Sequence, residues 1–193
     1  EPVETLDLSC KSLGKLSAIV IAKLIEGNAV LTNLNVDGFE LNIPQLRGTE
    51  PVETLDLSGK GLSVASGIVI AKLLEVNAVL KNLSVANNSS ISGEAAQQLA
   101  AAALGSASLE VLSEVPIKEL REDKHTELDL SGKGLGPTEG IVLAELTKVS
   151  AVLTTLNLEG NRLTNFGNDM TGITALAEAL KVNAVLTDLN LAY

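Results

Sequence analysis

The feature that most constrains this chain is internal repetition. Val3-Glu-Thr-Leu-Asp-Leu-Ser-Cys-Lys-Ser-Leu13 returns as Val52-Glu-Thr-Leu-Asp-Leu-Ser-Gly-Lys-Gly-Leu62, and again as Thr126-Glu-Leu-Asp-Leu-Ser-Gly-Lys-Gly-Leu135. Between them lie partner units, Leu31-Thr-Asn-Leu-Asn-Val36, Leu80-Lys-Asn-Leu-Ser-Val85, Leu153-Thr-Thr-Leu-Asn-Leu158 and Leu186-Thr-Asp-Leu-Asn-Leu191. A chain that repeats at a fixed period buries its apolar face by stacking one unit on the next, so this pattern decides the architecture before any local propensity does.

Each unit reads L-x-x-L-x-L, and the unit running from Leu153 through Asn161 to Leu163 completes L-x-x-L-x-L-x-x-N-x-L. The alternation within a unit is the period of a short strand. A second periodicity follows each strand. In 172–180, Ile173, Leu176, Ala177 and Leu180 fall on one helical face, with Lys181 near the C-terminal end where a cation suits the dipole. Equivalent helices are expected over 18–26, 67–75, 94–104 and 139–148, and four of the five segments lead into Asn-Ala-Val-Leu or Ser-Ala-Val-Leu.

With these residues in hand, the chain resembles the leucine-rich-repeat family over nearly its whole length. The steps between equivalent leucines, 28 from Leu6 to Leu34, 28 from Leu55 to Leu83 and 29 from Leu83 to Leu112, are similar to the ribonuclease-inhibitor subclass. That resemblance implies an α/β solenoid, a horseshoe arc of about seven to eight repeats filling 1–193 as one domain, with a parallel concave sheet and convex helices. Two returns break the rhythm, near 42–51 and 113–125. The steps there are only 21 (Leu34 to Leu55) and 16 (Leu112 to Leu128), too short for the usual helix, and each carries a Pro and a Leu-Arg pair. Starting at Glu1 and stopping at Tyr193 within a strand pattern, the chain reads as a piece of a longer array.

Composition narrows the function. With 46% hydrophobic residues the chain can bury a sizeable core, and with 2% aromatics that core must be Leu, Val, Ile and Ala. A net charge of −10 argues against nucleic acid, whose phosphates demand clustered Lys and Arg. No apolar run reaches the roughly 18–20 residues of a membrane helix, so no direct membrane insertion is expected. One cysteine, Cys10, makes no intrachain disulfide and leans weakly toward a reducing compartment.

No catalytic constellation assembles. Ser-Gly-Lys-Gly at 58–61 and 131–134 lacks the first glycine of a phosphate loop, where Thr54 and Glu127 stand, so it reads as a turn whose glycines take positive φ. Cys10 occupies the equivalent glycine position. Lys11, Lys60 and Lys133 replace the turn asparagine that Asn161 and Asn88 supply elsewhere. The only histidine, His125, has no ligand motif beside it. No enzyme activity, cofactor or metal site is expected.

The residues between the leucines point away from the core. Position five of successive units reads Asp7, Asn35, Asp56, Ser84, Ser113, Asp129, Asn157 and Asn190, a ladder in which neutral residues separate the aspartates. Glu4, Asp37, Glu53, Glu110, Glu127, Glu159 and Asp188 add charge, against Lys81 as the clear base. The resulting expectation is a protein-interaction module whose acidic concave face, through Glu4, Asp7, Asp37, Glu53, Asp56, Glu127, Asp129, Glu159 and Asp188, takes a basic protein segment. The alternative is a structural subunit packed into a larger assembly through its helices or ends.

Overall fold

The computed structural model describes residues 3–11 and 13–192. Very short strands alternate with helices in the order β1 (Thr5–Asp7), α1 (Lys15–Glu26), β2 (Asn33–Asn35), β3 (Glu40–Asn42), α2 (Ile43–Arg47), β4 (Thr54–Asp56), α3 (Val64–Leu74), β5 (Asn82–Ser84), α4 (Glu94–Gly105), β6 (Val111–Leu112), α5 (Ile117–Arg121), β7 (Glu127–Asp129), α6 (Pro137–Val149), β8 (Thr155–Asn157), α7 (Thr171–Val182) and β9 (Asp188–Asn190). No described helix is long and apolar enough to cross a membrane.

The repeat leucines set the strand register. Leu6 lies opposite Leu34, Leu55 opposite Leu83, Leu83 opposite Leu112, Leu128 opposite Leu156 and Leu156 opposite Leu189. Beyond β4 and β7 the chain turns through Gly59 and Gly132 at φ +62° and +64°. Cys10, at the same place after β1, takes φ +58°, a conformation that costs an L-residue roughly 1–2 kcal/mol. The Asn-Ala-Val-Leu segments close each unit. The Asn77 side-chain oxygen accepts from the N–H groups of Val79 and Leu80 at 2.9 and 2.8 Å, and Asn183 does the same for Val185 and Leu186 at 2.8 Å each. Backbone donors freed where the helix ends are thereby satisfied before the next strand begins.

The turn asparagines behave alike. Buried Asn88 donates to the carbonyls of Leu57 and Val85 at 2.8 and 2.9 Å and accepts from Leu62 N–H at 3.0 Å. Asn161 repeats this with Leu130, Leu158 and Leu135 at 2.8, 2.9 and 3.0 Å.

The sheet departs from expectation. Instead of one continuous parallel ladder there are three separate sheets, β1-β2-β3, β4-β5-β6 and β7-β8-β9. The breaks fall at the two short returns. After β2 the chain reverses through Gly38 (φ +86°), and β3 pairs back antiparallel, with Asn35 opposite Glu40. After β6 a tighter reversal at Ser113 and Glu114, φ +48° and +72°, joins Leu112 to Val115. Each reversal feeds a five-residue helix, α2 or α5, so the short returns do contain helix. A chain that has folded back beside its own last strand covers the edge that the next parallel strand would have joined. The Leu-Arg pairs explain themselves here. Leu46 and Leu120 are buried, while Arg47 donates to the carbonyls of Ile25 and Asn28, and Arg121 to that of Leu104, at the ends of the preceding long helices.

The long helices stack without interruption in the order α1, α3, α4, α6, α7, crossing both sheet breaks. One repeated stripe on each helix meets its successor: Ala18, Ala22 and Ile25 on α1; Gly67, Ala71 and Leu74 on α3; Ala96, Ala100 and Ala103 on α4; Gly140, Ala144 and Thr147 on α6. All are buried. The small residues permit close approach. A β-carbon on Gly67 would sit 3.2 Å from that of Ala95 in α4, and one on Gly140 would sit 3.0 Å from the Gly172 α-carbon in α7. The opposite stripe meets the preceding helix, as the Lys72–Glu26 pair between α3 and α1 marks at 3.8 Å.

Carboxylates knit the blocks together. Asp37, on the β2–β3 turn, accepts from Ser63 N–H, Ser63 hydroxyl and Ser66 hydroxyl at 2.8, 2.6 and 2.5 Å, capping α3. At the second break the acid is on the helix. Glu139, buried in the first turn of α6, accepts from Gly136 N–H at 2.8 Å, while its other oxygen has no hydrogen-bond partner among the described residues. Burial pushes its pKa up, offset in part by the Ser113 hydroxyl and Gly136 N–H.

Candidate functional site

The strand ends decide how much of the outward face is free to meet a ligand. Asp7, Asp56 and Asp129 each accept from the N–H two residues on, of Ser9, Ser58 and Ser131, at 2.8, 2.9 and 2.9 Å. Asn157 and Asn190 close the same kind of turn on Glu159 and Ala192 at 3.1 and 3.0 Å, and Asn35 accepts from Gly38 N–H, three residues on, at 2.7 Å. Closing the turn after the strand is therefore the first job of position five, which is why only Asp and Asn fill it at six of the strands. One carboxylate oxygen of each aspartate is spent on the turn.

The same geometry keeps these carboxylates ionised. The hydroxyl and N–H of Ser9 hold the Asp7 carboxyl below the usual range, with Lys11 adding a smaller pull. Asp56 follows suit with Ser58 and Lys60, and Asp129 with the N–H and hydroxyl of Ser131 and then Lys133. Lysine at the ninth position places a cation near the aspartate four residues before it, a smaller influence than the serine hydrogen bonds. Lys60 also lies 5.5 Å from the centre of the Phe39 ring. Lys81, expected as the lone base of this face, is one of several.

The acidic candidates are spread over the three sheets. Asp7 and Glu4 belong to the first sheet, Glu53 and Asp56 to the second, and Glu127, Asp129, Glu159 and Asp188 to the third. Glu53 is paired with Lys81 across the strands at 2.8 Å, and Glu159 accepts from the Asn190 amide at 3.0 Å. Glu4, Glu127 and Asp188 are exposed. Asp37 is half-buried and committed to α3, so it is a structural cap. Ser113, expected to point outward, is buried and accepts from Val85 N–H at 2.9 Å, because the tight reversal after β6 turns it into the core.

Over the middle sheet the strand face becomes a cleft of about 720 Å³. Its floor is Thr54, Asp56, Asn82 and Ser84, and its wall is made by Asn87 and Glu114 of the same block together with Gly132 and Lys133 of the next. The wall exists because the second break sets the β7 turn across the end of this sheet, where Asn87 N–H donates to Gly134 carbonyl at 2.9 Å and Lys133 lies 4.0 Å from Glu114. Glu114, Asn87 and Lys133 were not legible as neighbours, and the only trace of them in the sequence is the irregular step of 16. Among the described residues, no group of three or more His, Cys, Asp or Glu is placed to hold a metal. His125 is 2.8 Å from Glu119, at α5 and outside the cleft lining. The cleft can therefore offer hydrogen bonds and charge to a ligand, from groups fixed on strand ends.

No family model matches this chain, and no curated protein matches it. Solved structures similar to it include actin-binding site 2 of leiomodin-1 (17% identity, TM-score 0.42, covering 78% of this chain and 77% of the other) and the C-terminal domain of Caenorhabditis elegans tropomodulin (18% identity, TM-score 0.40, 78% and 80%). Likeness at that level assigns no partner. The function has to be argued from the residues.

Proposed function

We propose that this chain is a non-enzymatic protein-interaction module, a leucine-rich-repeat solenoid of the ribonuclease-inhibitor kind, whose strand face takes a basic segment of a partner protein. The observation that carries the reading is the cleft over β4, β5 and β6. It encloses about 720 Å³, is floored by polar strand-end groups, and carries the carboxylates of Asp56 and Glu114 beside Lys133. Carboxylates in such a cleft steer a cationic partner and lose their hold as salt screens them. Few aromatic or arginine anchors line the face, so affinity is expected to be moderate and strongly salt-dependent.

The test is binding of a lysine-rich peptide by the wild-type chain beside an Asp56→Asn, Glu114→Gln variant, which alters both carboxylates that line the cleft. Asparagine keeps the acceptor for Ser58 N–H and Glu114 is exposed, so the variant retains the fold while shedding two charges. The expected result is affinity that falls at least several-fold in the variant and falls again at moderate salt. Equal binding by both chains at both salt concentrations would remove the acidic face from consideration.

A second reading, a structural subunit packed through its helices or ends, is favoured by a different observation. Leu16, Val20 and Leu24 form an apolar stripe on α1 that is largely exposed.

A further inference from the structure

The three charged groups that line the cleft are not equally committed. Asp56 spends one oxygen on Ser58 N–H at 2.9 Å. Among the described residues, the Glu114 carboxylate has Lys133 as its ion-pair partner, at 4.0 Å, beyond the reach of a hydrogen bond. Both side chains stand well out of the core, Lys133 at 45% and Glu114 at 67% exposure. An exposed pair of that kind contributes little and opens readily.

The backbones that carry the pair are fixed. Glu114 lies in the reversal after β6, between Leu112 and Val115, which exchange two N–H to carbonyl bonds of 3.0 and 2.8 Å. Lys133 lies in the turn after β7, between two positive-φ glycines. Gly132 N–H donates to the Glu159 carbonyl at 2.8 Å, and the Gly134 carbonyl accepts from Asn87 N–H at 2.9 Å. Lysine at this position of the repeat does not by itself find a carboxylate. Lys60, its counterpart one block earlier, lies over the Phe39 ring at 5.5 Å and takes no part in the cleft lining. What brings an acid to Lys133 is the reversal that presents Glu114.

We infer that Lys133 is an internal stand-in for a basic side chain of the partner. The Glu114 carboxylate is the seat, and a lysine of the bound segment takes it by displacing the Lys133 ammonium into solvent. This rests on the reading of the cleft as the site for a basic segment, and it names the side chains that set its specificity. The exchange replaces one weak exposed pair by a pair covered by the bound segment, where water and salt screen it less. A segment without a basic side chain at this seat leaves Lys133 in place and gains nothing from Glu114.

The experiment is calorimetric titration of a lysine-rich peptide into the whole chain, comparing wild type, Lys133→Met, Glu114→Gln and the double variant. Both positions are exposed, and circular dichroism checks that each variant is folded. Lys148→Met is the charge-matched control, since Lys148 pairs with Glu145 on α6 at 2.8 Å, away from the cleft lining. Lys133→Met should bind about two- to five-fold more tightly, the size of an exposed ion pair expressed as affinity. Most of that gain should vanish in the Glu114→Gln background, and Lys148→Met should bind as wild type does. Binding that is unchanged or weaker in Lys133→Met overturns the inference. So does a gain of equal size with and without Glu114, or one matched by Lys148→Met, because either would make Lys133 only a distant charge. The reading beneath it fails separately, if Asp56→Asn, Glu114→Gln binds as wild type does. A peptide bound by neither wild type nor Lys133→Met ends both.

Discussion

At the scale of single residues, the polar positions that look available for binding are mostly committed to the fold. Asn88 and Asn161 each tie two strand-end carbonyls and one turn N–H with a single buried amide. Asp169 is similar. Burial works against its charge, but the Thr171 hydroxyl and the N–H groups of Gly93 and Thr171 hold its carboxyl below the usual value, joining the start of α7 to the start of α4. Its contribution is present above the unfolded aspartate value of about 3.9 and is lost as pH falls below that. Glu139 has the opposite sign. Its folded pKa is raised, so the folded chain binds the proton more tightly than the unfolded chain does. Stability is greatest below the unfolded glutamate value of about 4.3 and falls as pH rises through the folded one. Glu139→Gln keeps an acceptor for Gly136 and removes the buried charge. Urea unfolding at pH 7 should show a higher midpoint for the variant, and the difference should shrink toward pH 4. A lower midpoint at pH 7 would mean that the ionised carboxylate is stabilising.

At the scale of elements, the helices are held by how closely their small stripes approach. Gly140 and Gly172 bring α6 and α7 together with backbone against backbone. A β-carbon on Gly172 would stand 3.0 Å from both the Leu163 carbonyl oxygen and the Pro137 α-carbon. Overpacking such a contact costs about 1–3 kcal/mol or more, because neither backbone can move alone. Gly140→Val is expected to destabilise by at least that amount in chemical denaturation. Gly105→Ala, at the end of α4 where nothing lies within 4 Å, should be neutral or slightly stabilising. A Gly140→Val chain as stable as the parent would show that the two helices can move apart without cost, since propensity alone favours both substitutions over glycine. Both helices flanking the glycine pair were evident from periodicity. That they meet through glycine was not, since a glycine inside a helix looks the same whether it faces a neighbour or solvent.

At the scale of the whole molecule, the sheet comes in three pieces and the core in one. Buried apolar residues run continuously from Ala18 to Ala179, and the helix stack bridges both sheet breaks. Stability in a stacked array falls where a unit lacks a neighbour. Amide hydrogen exchange on dilute protein should therefore find α3 and α4, covered on both sides, slower to exchange than α1, whose outer stripe is open. Equal protection along the stack would indicate that the array opens only as a unit.

The sequence by itself determined the units and their interior. Each leucine triplet became a strand, each i, i+3, i+4 stripe a helix and each Asn-Ala-Val-Leu a return, because every one of these depends on contacts repeated at a fixed spacing. What only the tertiary structure decided was where the repetition stops. The reversals after β2 and β6 end the ladder, turn Asp37 into a cap and Ser113 into the core, and bring Lys133 and Glu114 beside Asp56. Those outcomes depend on how a short return refolds against its own last strand, a contact between unlike segments that no period encodes.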